Sequence, residues 1–200
     1  VNQEITARDI ITYKSLSNAI KVNSAIGGST NAVLHILAIA YEAEIELDID
    51  DFGQISQQIP HLTPLIPAGP YALLDLYEAG GIPAVMKEIK ELLELNEMTV
   101  TTNTISNNIS QAKIINRDVI RRLTDPVNTK SGIAILKGNL SPEGAVTKPS
   151  AIPDDALKFQ GPAVVFESEQ DALEGISNNQ VKAGDVIVIR NEGPKAGPGM

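Results

Sequence analysis

The chain has 200 residues, of which 42% are hydrophobic and 20% are charged, values typical of a soluble globular protein with a substantial core. Its formal net charge of -9 argues against nucleic acids and anionic membrane surfaces as partners. Because the chain has no cysteine, it has no disulfide and offers no thiolate to zinc or to an iron–sulfur cluster.

The first part of the sequence predicts helices. Apolar residues recur at helical spacing across 7–25, and Thr6 is placed to cap the start. Gly27-Gly28 interrupts this pattern, and a second helix is predicted at about 30–42 with Ser29 as its N-cap. This second helix is apolar almost all round, which predicts burial on most of its sides.

Shorter helices are predicted next. Asp50-Asp51 opens one that ends before Pro60. Two more, at 72–78 and 83–95, flank the Gly80-Gly81 break.

From residue 98 the sequence predicts mainly strands. Short runs of β-branched residues occur at 98–102, 133–136, 163–166 and 185–190, and a helix is predicted at 169–176. We therefore predict an α/β chain with a boundary near residue 97. A helix-rich part at 1–97 would precede a β-rich barrel or sandwich at 98–200.

Both ends of the sequence are typical of an internal piece of a longer chain. Val1 is not a start methionine, and no signal-peptide pattern follows it. The last residues, 193–200, are rich in glycine and proline, which predicts a loop. No apolar run approaches the roughly 20 residues of a membrane-spanning helix. We expect a fragment of a larger cytoplasmic protein.

Residues 27–31, Gly-Gly-Ser-Thr-Asn, are the sharpest chemical motif. Two glycines let the backbone approach a ligand closely, and the first turn of the following helix offers free N–H groups beside the hydroxyls of Ser29 and Thr30. This combination predicts an anion site at a helix N-terminus. The simpler interpretation is a Gly-rich turn in which Ser29 caps the helix and two helices are held close together.

Histidines and paired acids give weaker signals. His35 lies about one helical turn beyond Asn31, where it could relay a proton, donate to a substrate or be a satisfied core residue. His61 lies in a Pro-flanked loop and suggests no role. Two distant histidines without a cysteine argue against a zinc site. The pairs Asp50-Asp51 and Asp154-Asp155 are typical of helix starts rather than of a catalytic dyad.

Two later segments could form part of a site. A strand enters a tight turn at 137–146, as it would at the corner of a barrel. The loop at 190–195, which contains Glu192 and Lys195, could line a cleft or be a flexible crossover.

Five segments together resemble the dihydroxy-acid and phosphogluconate dehydratase family. They are GGSTNAVLH at 27–35, DLYEAGGIPAVMK at 75–87, GNLSPEGAV at 138–146, FQGPA at 159–163 and GPKAGPGM at 193–200. They follow in the family's order, and the similarity covers nearly the whole chain.

The resemblance implies an activity and its cofactors. The family eliminates water from 2,3-dihydroxy acids to give 2-keto acids, with an iron–sulfur cluster and usually a magnesium ion. Its cluster cysteines and modified lysine correspond to positions upstream of this segment, and its magnesium-binding glutamate and serine base to positions just past Met200. The resemblance therefore assigns no catalytic residue and no metal ligand to this segment.

The resemblance also implies a fold and a neighbourhood for the active site. Residues 1–97 would be the end of an α/β cluster-binding domain, and 98–200 a truncated β-barrel like the swivelling domain of aconitase. The positions expected to bind substrate or to lie beside the active site are Ser29, Thr30, Asn31, His35, Glu192 and Lys195. A homodimer is the expected assembly.

Within the family, the sequence favours the branched-chain amino-acid enzyme of valine and isoleucine biosynthesis. The stretch Ala32-Val33-Leu34 is apolar where a polyol substrate would want hydrogen-bond partners. The alternatives are a sugar-acid dehydratase, acting on 6-phosphogluconate or a pentonate, and a non-catalytic module that binds a small acid.

Overall fold

A computed structural model describes residues 5–192 of the chain, with every side chain in that range except that of Asp154. The α-helices span Ala7–Ile10 (α1), Tyr13–Ala25 (α2), Asn31–Glu42 (α3), Ile49–Gln57 (α4), Leu73–Glu78 (α5), Gly81–Glu88 (α6), Ile105–Ile109 (α7) and Glu169–Ser177 (α8). The strands span Ala134–Leu136 (β1), Ala145–Thr147 (β2), Ala163–Phe166 (β3) and Val186–Ile189 (β4). Short 3-10 turns lie at Lys90–Leu92, Pro149–Ala151 and Asp154–Ala156.

Two helices form where the sequence predicts one over 7–25. Thr12 has an extended backbone, with φ -124° and ψ 164°, and separates α1 from α2. Its hydroxyl accepts the Ser15 N–H at 3.0 Å, and the Ser15 hydroxyl accepts the Thr12 N–H at 2.9 Å. This reciprocal cap satisfies donors that a continuous helix would satisfy internally, so it favours the break. Thr6 is the N-cap of α1, as predicted.

Helix α3 was predicted to be buried on most sides, and this prediction was wrong. Its buried side chains are Val33 and Ala40, whereas Leu34, Ile39 and Tyr41 are 39%, 44% and 81% exposed. Among the described elements, α3 packs against α2 and α4. The apolar pattern therefore identifies the helix correctly but does not show which of its faces have neighbours.

The next helices lie where they are predicted. Asp48 caps α4 by accepting the Asp51 N–H at 2.8 Å, and α4 ends at Gln57 before Pro60. Helices α5 and α6 follow, but α6 is shorter than the predicted 83–95 because it ends at Glu88 and a 3-10 turn follows it.

Two clusters of buried apolar side chains form the core around these helices. One contains Ala25, Ile59, Leu62, Leu76, Ala79, Ala84, Val85, Ile89, Leu93, Val119 and Ile120. The other contains Ile20, Val33, Phe52, Ile55 and Ile133. Helix α2 contributes to both, through Ala25 to the first and Ile20 to the second, so the two clusters meet on α2.

Three of the four predicted strands form, and so does the helix predicted at 169–176, which is α8. Strands β1 and β2 pair antiparallel, with Ile135 opposite Val146. Strands β3 and β4 pair parallel, with Val164 opposite Ile187, and α8 lies between them in the chain. The parallel pair is therefore a β–α–β unit.

The strand predicted at 98–102 does not form, so that prediction was wrong. The Thr99 N–H and the Thr99 hydroxyl both donate to the Asn103 carbonyl, at 3.0 and 2.9 Å. Thr102 has a φ of 65°. Hydroxyl groups that bond to the nearby backbone compete with a strand ladder, and this Thr-rich segment forms a turn instead.

The α/β class is confirmed, but the predicted β-barrel is not. Between residues 98 and 192 the strands form two sheets of two strands each, and neither is closed into a barrel. A likeness to the swivelling domain of aconitase is therefore not confirmed for the described residues. The β-branched runs specify strands, whereas closure depends on pairings between strands that local sequence does not encode.

By its internal contacts the chain divides into two compact units, 1–152 and 153–200. The boundary near residue 97 that the sequence predicts stays a prediction about the domains of the whole protein. In residues 5–192, none of the helices combines the length and the apolar character needed to cross a membrane.

Candidate functional site

Helix α2 ends at the glycine pair in a backbone arrangement that requires the first glycine. Gly27 has a φ of 57°, a left-handed conformation that costs other residues roughly 1–2 kcal/mol. The Gly27 N–H donates to the Ser24 carbonyl at 3.2 Å, and the Gly28 N–H donates to the Asn23 carbonyl at 2.9 Å. These two bonds form a Schellman cap, so one function of Gly27 is to end α2.

The last carbonyls of α2 are satisfied by distant parts of the chain. The Leu62 N–H donates to the Ala25 carbonyl at 2.7 Å, the Thr63 hydroxyl to the Ile26 carbonyl at 3.1 Å, and the Lys148 ammonium to the Gly27 carbonyl at 2.7 Å. A cation at a helix C-terminus is also favoured by the helix dipole. The turn after α2 is thus fixed by tertiary contacts as well as by its own cap.

The first turn of α3 does not offer the free N–H groups that the sequence predicts. The Ser29 hydroxyl accepts the Asn31 N–H at 3.2 Å, and the Ser29 and Thr30 carbonyls accept the N–H groups of Ala32 and Val33, both at 3.1 Å. The donors expected in the first helical turn are therefore already partnered. Within residues 5–192, the N–H groups of Ser29 and Thr30 have no protein acceptor, and the Thr30 hydroxyl makes no capping bond. The available donors therefore belong to the two residues that precede α3.

A pocket of about 560 Å³ lies beside this turn. Its polar side is formed by 27–30 and Lys148, and Leu65, Tyr71 and Leu73 are part of a largely apolar wall. The described residues that line it include no carboxylate, although the chain carries a net charge of -9. A cation and free N–H groups without a competing carboxylate favour an anion, and the apolar wall favours an aliphatic body.

Two residues at this turn, His61 and Lys148, were missed by the sequence reasoning. The side chain of His61 is 2% exposed, and a Cβ added to Gly27 would lie 2.5 Å from its Nε2 atom. Burial lowers the pKa of His61, the backbone of Thr63 acts in the opposite direction, and the positive charge of Lys148 lowers it again. The imidazole is therefore neutral at neutral pH. Both residues are far from the turn in sequence, so no local spacing signals their contact with it.

The remaining predicted residues of the first unit lie apart from this pocket. Asn31 supplies the N–H that the Ser29 hydroxyl accepts, and its side chain is not part of the lining. His35 is exposed and lines a separate groove of about 630 Å³, together with Ile11 and Ile39. Ser29 and Thr30 are thus the predicted residues that the structure brings together at the pocket.

The predicted tail residues belong to the second unit. Glu192 accepts the N–H of Glu169, the first residue of α8, at 2.7 Å. A carboxylate at this end of a helix is favoured by the helix dipole. Lys195, with the rest of residues 193–200, lies outside the described residues.

The donor set of this chain does not fit the iron–sulfur cluster that the family resemblance implies. The sequence contains no cysteine, so no thiolate is available. In the part of the chain that the structure describes, no group of three or more His, Cys, Asp or Glu side chains could hold a metal ion.

Comparison with known proteins gives a consistent match along the whole chain. The family model "Dihydroxy-acid/6-phosphogluconate dehydratase N-terminal" matches residues 1–108. The corresponding C-terminal model matches residues 118–200.

Several similar proteins are named dihydroxy-acid dehydratase. The dihydroxy-acid dehydratase of Methanoregula boonei is 50% identical over 200 residues, which are 100% of this chain and 36% of that protein. The dihydroxy-acid dehydratases of Caldanaerobacter subterraneus and Acetivibrio thermocellus are 48% and 49% identical, again over 100% of this chain and 36% of theirs. The chain thus spans just over a third of the length of these curated relatives.

We expect Gly27→Ala to destabilise the protein more than Gly81→Ala. Both positions have a positive φ, 57° and 67°, which costs alanine roughly 1–2 kcal/mol. At Gly81 the nearest atom to an added Cβ is 3.6 Å away, whereas at Gly27 the new methyl group would meet His61. Overpacking adds about 1–3 kcal/mol. Urea unfolding of both variants measures the difference. Equal losses of stability would show that His61 can move away from the new methyl group at no measurable free-energy cost.

The free energy of unfolding should rise with pH on the acid side of neutrality because of His61. Its pKa is lowered in the folded protein from about 6.5, so below that value the unfolded chain binds more protons than the folded one. The stability that the neutral His61 contributes is complete above pH ~6.5 and is lost as the pH falls towards the folded-state pKa. In that range the free energy of unfolding changes by at most about 1.4 kcal/mol per pH unit.

The measurement is urea unfolding of the wild type and of His61→Gln between mildly acid and neutral pH. We expect His61→Gln to flatten the profile. His35→Gln, which removes the chain's other histidine from an exposed site, controls for loss of an imidazole. An unchanged slope in His61→Gln would contradict the prediction.

Proposed function

The chain belongs to the dihydroxy-acid/6-phosphogluconate dehydratase family, and from that premise we propose that it is part of a hydro-lyase of valine and isoleucine biosynthesis. The complete protein would dehydrate 2,3-dihydroxy-3-methyl acids to 2-keto acids. The observation that carries this proposal is the match of 46–50% identity, along 100% of the chain, to relatives named dihydroxy-acid dehydratase.

For this chain we propose a role in binding the acid rather than in breaking the carbon–oxygen bond. A carboxylate in the pocket would accept hydrogen bonds from the N–H groups of Ser29 and Thr30 and from the Thr30 hydroxyl. The positive charge of Lys148, a residue that lines the same pocket, would attract the negative charge of the acid. The wall that contains Leu65 and Leu73 would hold the branched aliphatic end of the substrate.

We propose that the cofactors of the complete protein are held elsewhere in its chain. The family resemblance supports an iron–sulfur cluster and a magnesium ion. Because this chain has no cysteine, the ligands of the cluster would come from other parts of the protein. The family resemblance supports a magnesium ligand outside this chain as well. The neighbourhood of that active site would include Asn31, His35, Glu192 and Lys195, and family resemblance is the support for these four residues.

A sugar-acid dehydratase is the second candidate function, because the family model also covers 6-phosphogluconate dehydratases. The apolar wall of the pocket favours the branched aliphatic acid, since a site built for sugar hydroxyls would need more polar partners. A non-catalytic module that binds a small acid is the third. The family resemblance also supports a homodimer in the cytoplasm.

The substrate proposal predicts that the full-length protein converts 2,3-dihydroxyisovalerate faster than 6-phosphogluconate or a pentonate. Unpaired polar groups in a site that binds the wrong acid cost about 1–3 kcal/mol each, so the preference should be at least about tenfold. Values of kcat/KM on the three substrates, with freshly reconstituted cofactors, measure it. A tenfold preference for a sugar acid would contradict the proposed substrate but not the proposed dehydratase activity. Absence of turnover with all three would favour the binding module.

Variants at the turn should separate ligand binding from helix capping. Thr30→Val removes a hydroxyl that makes no capping bond, so we expect a higher KM with an unchanged melting temperature. Ser29→Ala removes the acceptor of the Asn31 N–H, so we expect a loss of about 1 kcal/mol of stability and a smaller effect on KM.

Ser168→Ala is the matched control for these two variants. Ser168 caps α8 by accepting the Asp171 N–H at 3.1 Å, and its loss should lower stability without changing KM. Thermal melts and steady-state kinetics on the full-length protein measure all three variants. Unchanged kinetics in Thr30→Val would mean that the turn acts only as a helix boundary.

A further inference from the structure

Lys148 connects two distant parts of the chain at the candidate pocket. It follows β2 directly, and its ammonium donates to the Gly27 carbonyl at 2.7 Å across 121 residues of sequence. Gly27 lies within the region matched by the N-terminal family model, and Lys148 lies within the region matched by the C-terminal one. One hydrogen bond therefore joins the two family regions at the turn that precedes α3.

The peptide that Lys148 binds is also crowded by other parts of the chain. A Cβ added to Gly132 would lie 2.5 Å from the Cα of Gly27, and one added to Gly27 would lie 2.5 Å from Nε2 of His61. The Gly27 carbonyl and the Gly28 N–H belong to one peptide unit, and that N–H is bonded to Asn23. Lys148 thus binds the carbonyl group of the Gly27–Gly28 peptide, whose N–H group is already bonded to Asn23.

The next two peptides carry the donors proposed to bind the acid. Holding the Gly27–Gly28 peptide limits the φ that Gly28 can adopt, and therefore limits the directions in which the N–H groups of Ser29 and Thr30 can point. In residues 5–192 Lys148 forms no salt bridge, so this carbonyl is the acceptor that orients its ammonium.

We infer that Lys148 is a positioning residue, which holds the Gly27 carbonyl so that the donors of Ser29 and Thr30 converge on the carboxylate of the substrate. This inference rests on the proposed function for its kinetic consequences. Its structural consequence, an ordered turn at residues 27–30, does not depend on the activity.

The test uses the full-length holoenzyme and three variants. Lys148→Met keeps most of the volume of the side chain but removes its donors and its charge, and Lys148→Arg restores both. Lys137→Met is the matched control, because Lys137 follows β1 in the same β1–β2 hairpin and pairs with Asp50. Neither Lys137 nor Asp50 lines the pocket. Steady-state kinetics and hydrogen–deuterium exchange of the peptide at residues 24–34 are measured on each variant.

We expect Lys148→Met to raise KM for 2,3-dihydroxyisovalerate about tenfold, as for the loss of a charge-assisted hydrogen bond, with kcat changed less than about twofold. Exchange at residues 24–34 should accelerate in Lys148→Met alone. Lys148→Arg should recover most of the affinity, and Lys137→Met should match the wild type in both readouts.

The other outcomes are also decisive. Wild-type exchange and KM in Lys148→Met would overturn the inference, and so would a general loss of protection and melting temperature without a selective change at residues 24–34. A wild-type protein that dehydrates none of the acids, combined with selective loss of protection in Lys148→Met, would refute the proposed function while supporting the role of Lys148 in ordering the turn.

Discussion

The rest of the first unit depends on how α2 ends. The carbonyls of residues 25–27 lie at the end of that helix, and a buried carbonyl without a donor costs about 1–3 kcal/mol. The chain satisfies them with Leu62, Thr63 and Lys148, three donors from two distant segments. The same bonds that complete the helix therefore bring a loop and a β-hairpin to the glycine turn, and the pocket lies where these elements meet.

The charge of the pocket lining is opposite in sign to the net charge of the whole chain. A net charge of -9 repels anions at long range, yet the described lining has Lys148 and no carboxylate. Lys148 is the charged side chain among the described lining residues, and burial lowers the pKa of the nearby His61 so that it adds no charge at neutral pH. Within about one Debye length, near 8–10 Å at moderate salt, a local cation outweighs distant acids. The acidic surface therefore does not prevent this pocket from binding a small acid.

The sequence predicts the local features of this region and misses the long-range ones. Glycine at position 27 and the β-branched run at 163–166 specify backbone conformations through their own chemistry, and each lies where it is predicted. The predicted N-cap of α3 is displaced by one residue: Thr30 precedes the helix, although the Ser29 hydroxyl accepts the Asn31 N–H. The contact between Lys148 and Gly27 has no such signal, because neither residue's neighbours determine it. The exposure of α3 and the open sheets after residue 98 have the same origin: apolar and β-branched patterns predict elements, whereas partners are selected by the whole chain.

The two interpretations of the Gly-Gly-Ser-Thr turn, as a helix boundary and as a ligand site, apply to different atoms. The backbone of Gly27 and the hydroxyl of Ser29 are used in capping, one for α2 and one for α3. The N–H groups of Ser29 and Thr30 have no such use within the described residues. A ligand that supplies an acceptor for these N–H groups would be stabilised by the hydrogen bonds that it forms. Because the caps hold the turn in place, it can offer these donors without a conformational change. The carboxylate that we propose as ligand would accept from these N–H groups in a pocket that Lys148 also lines.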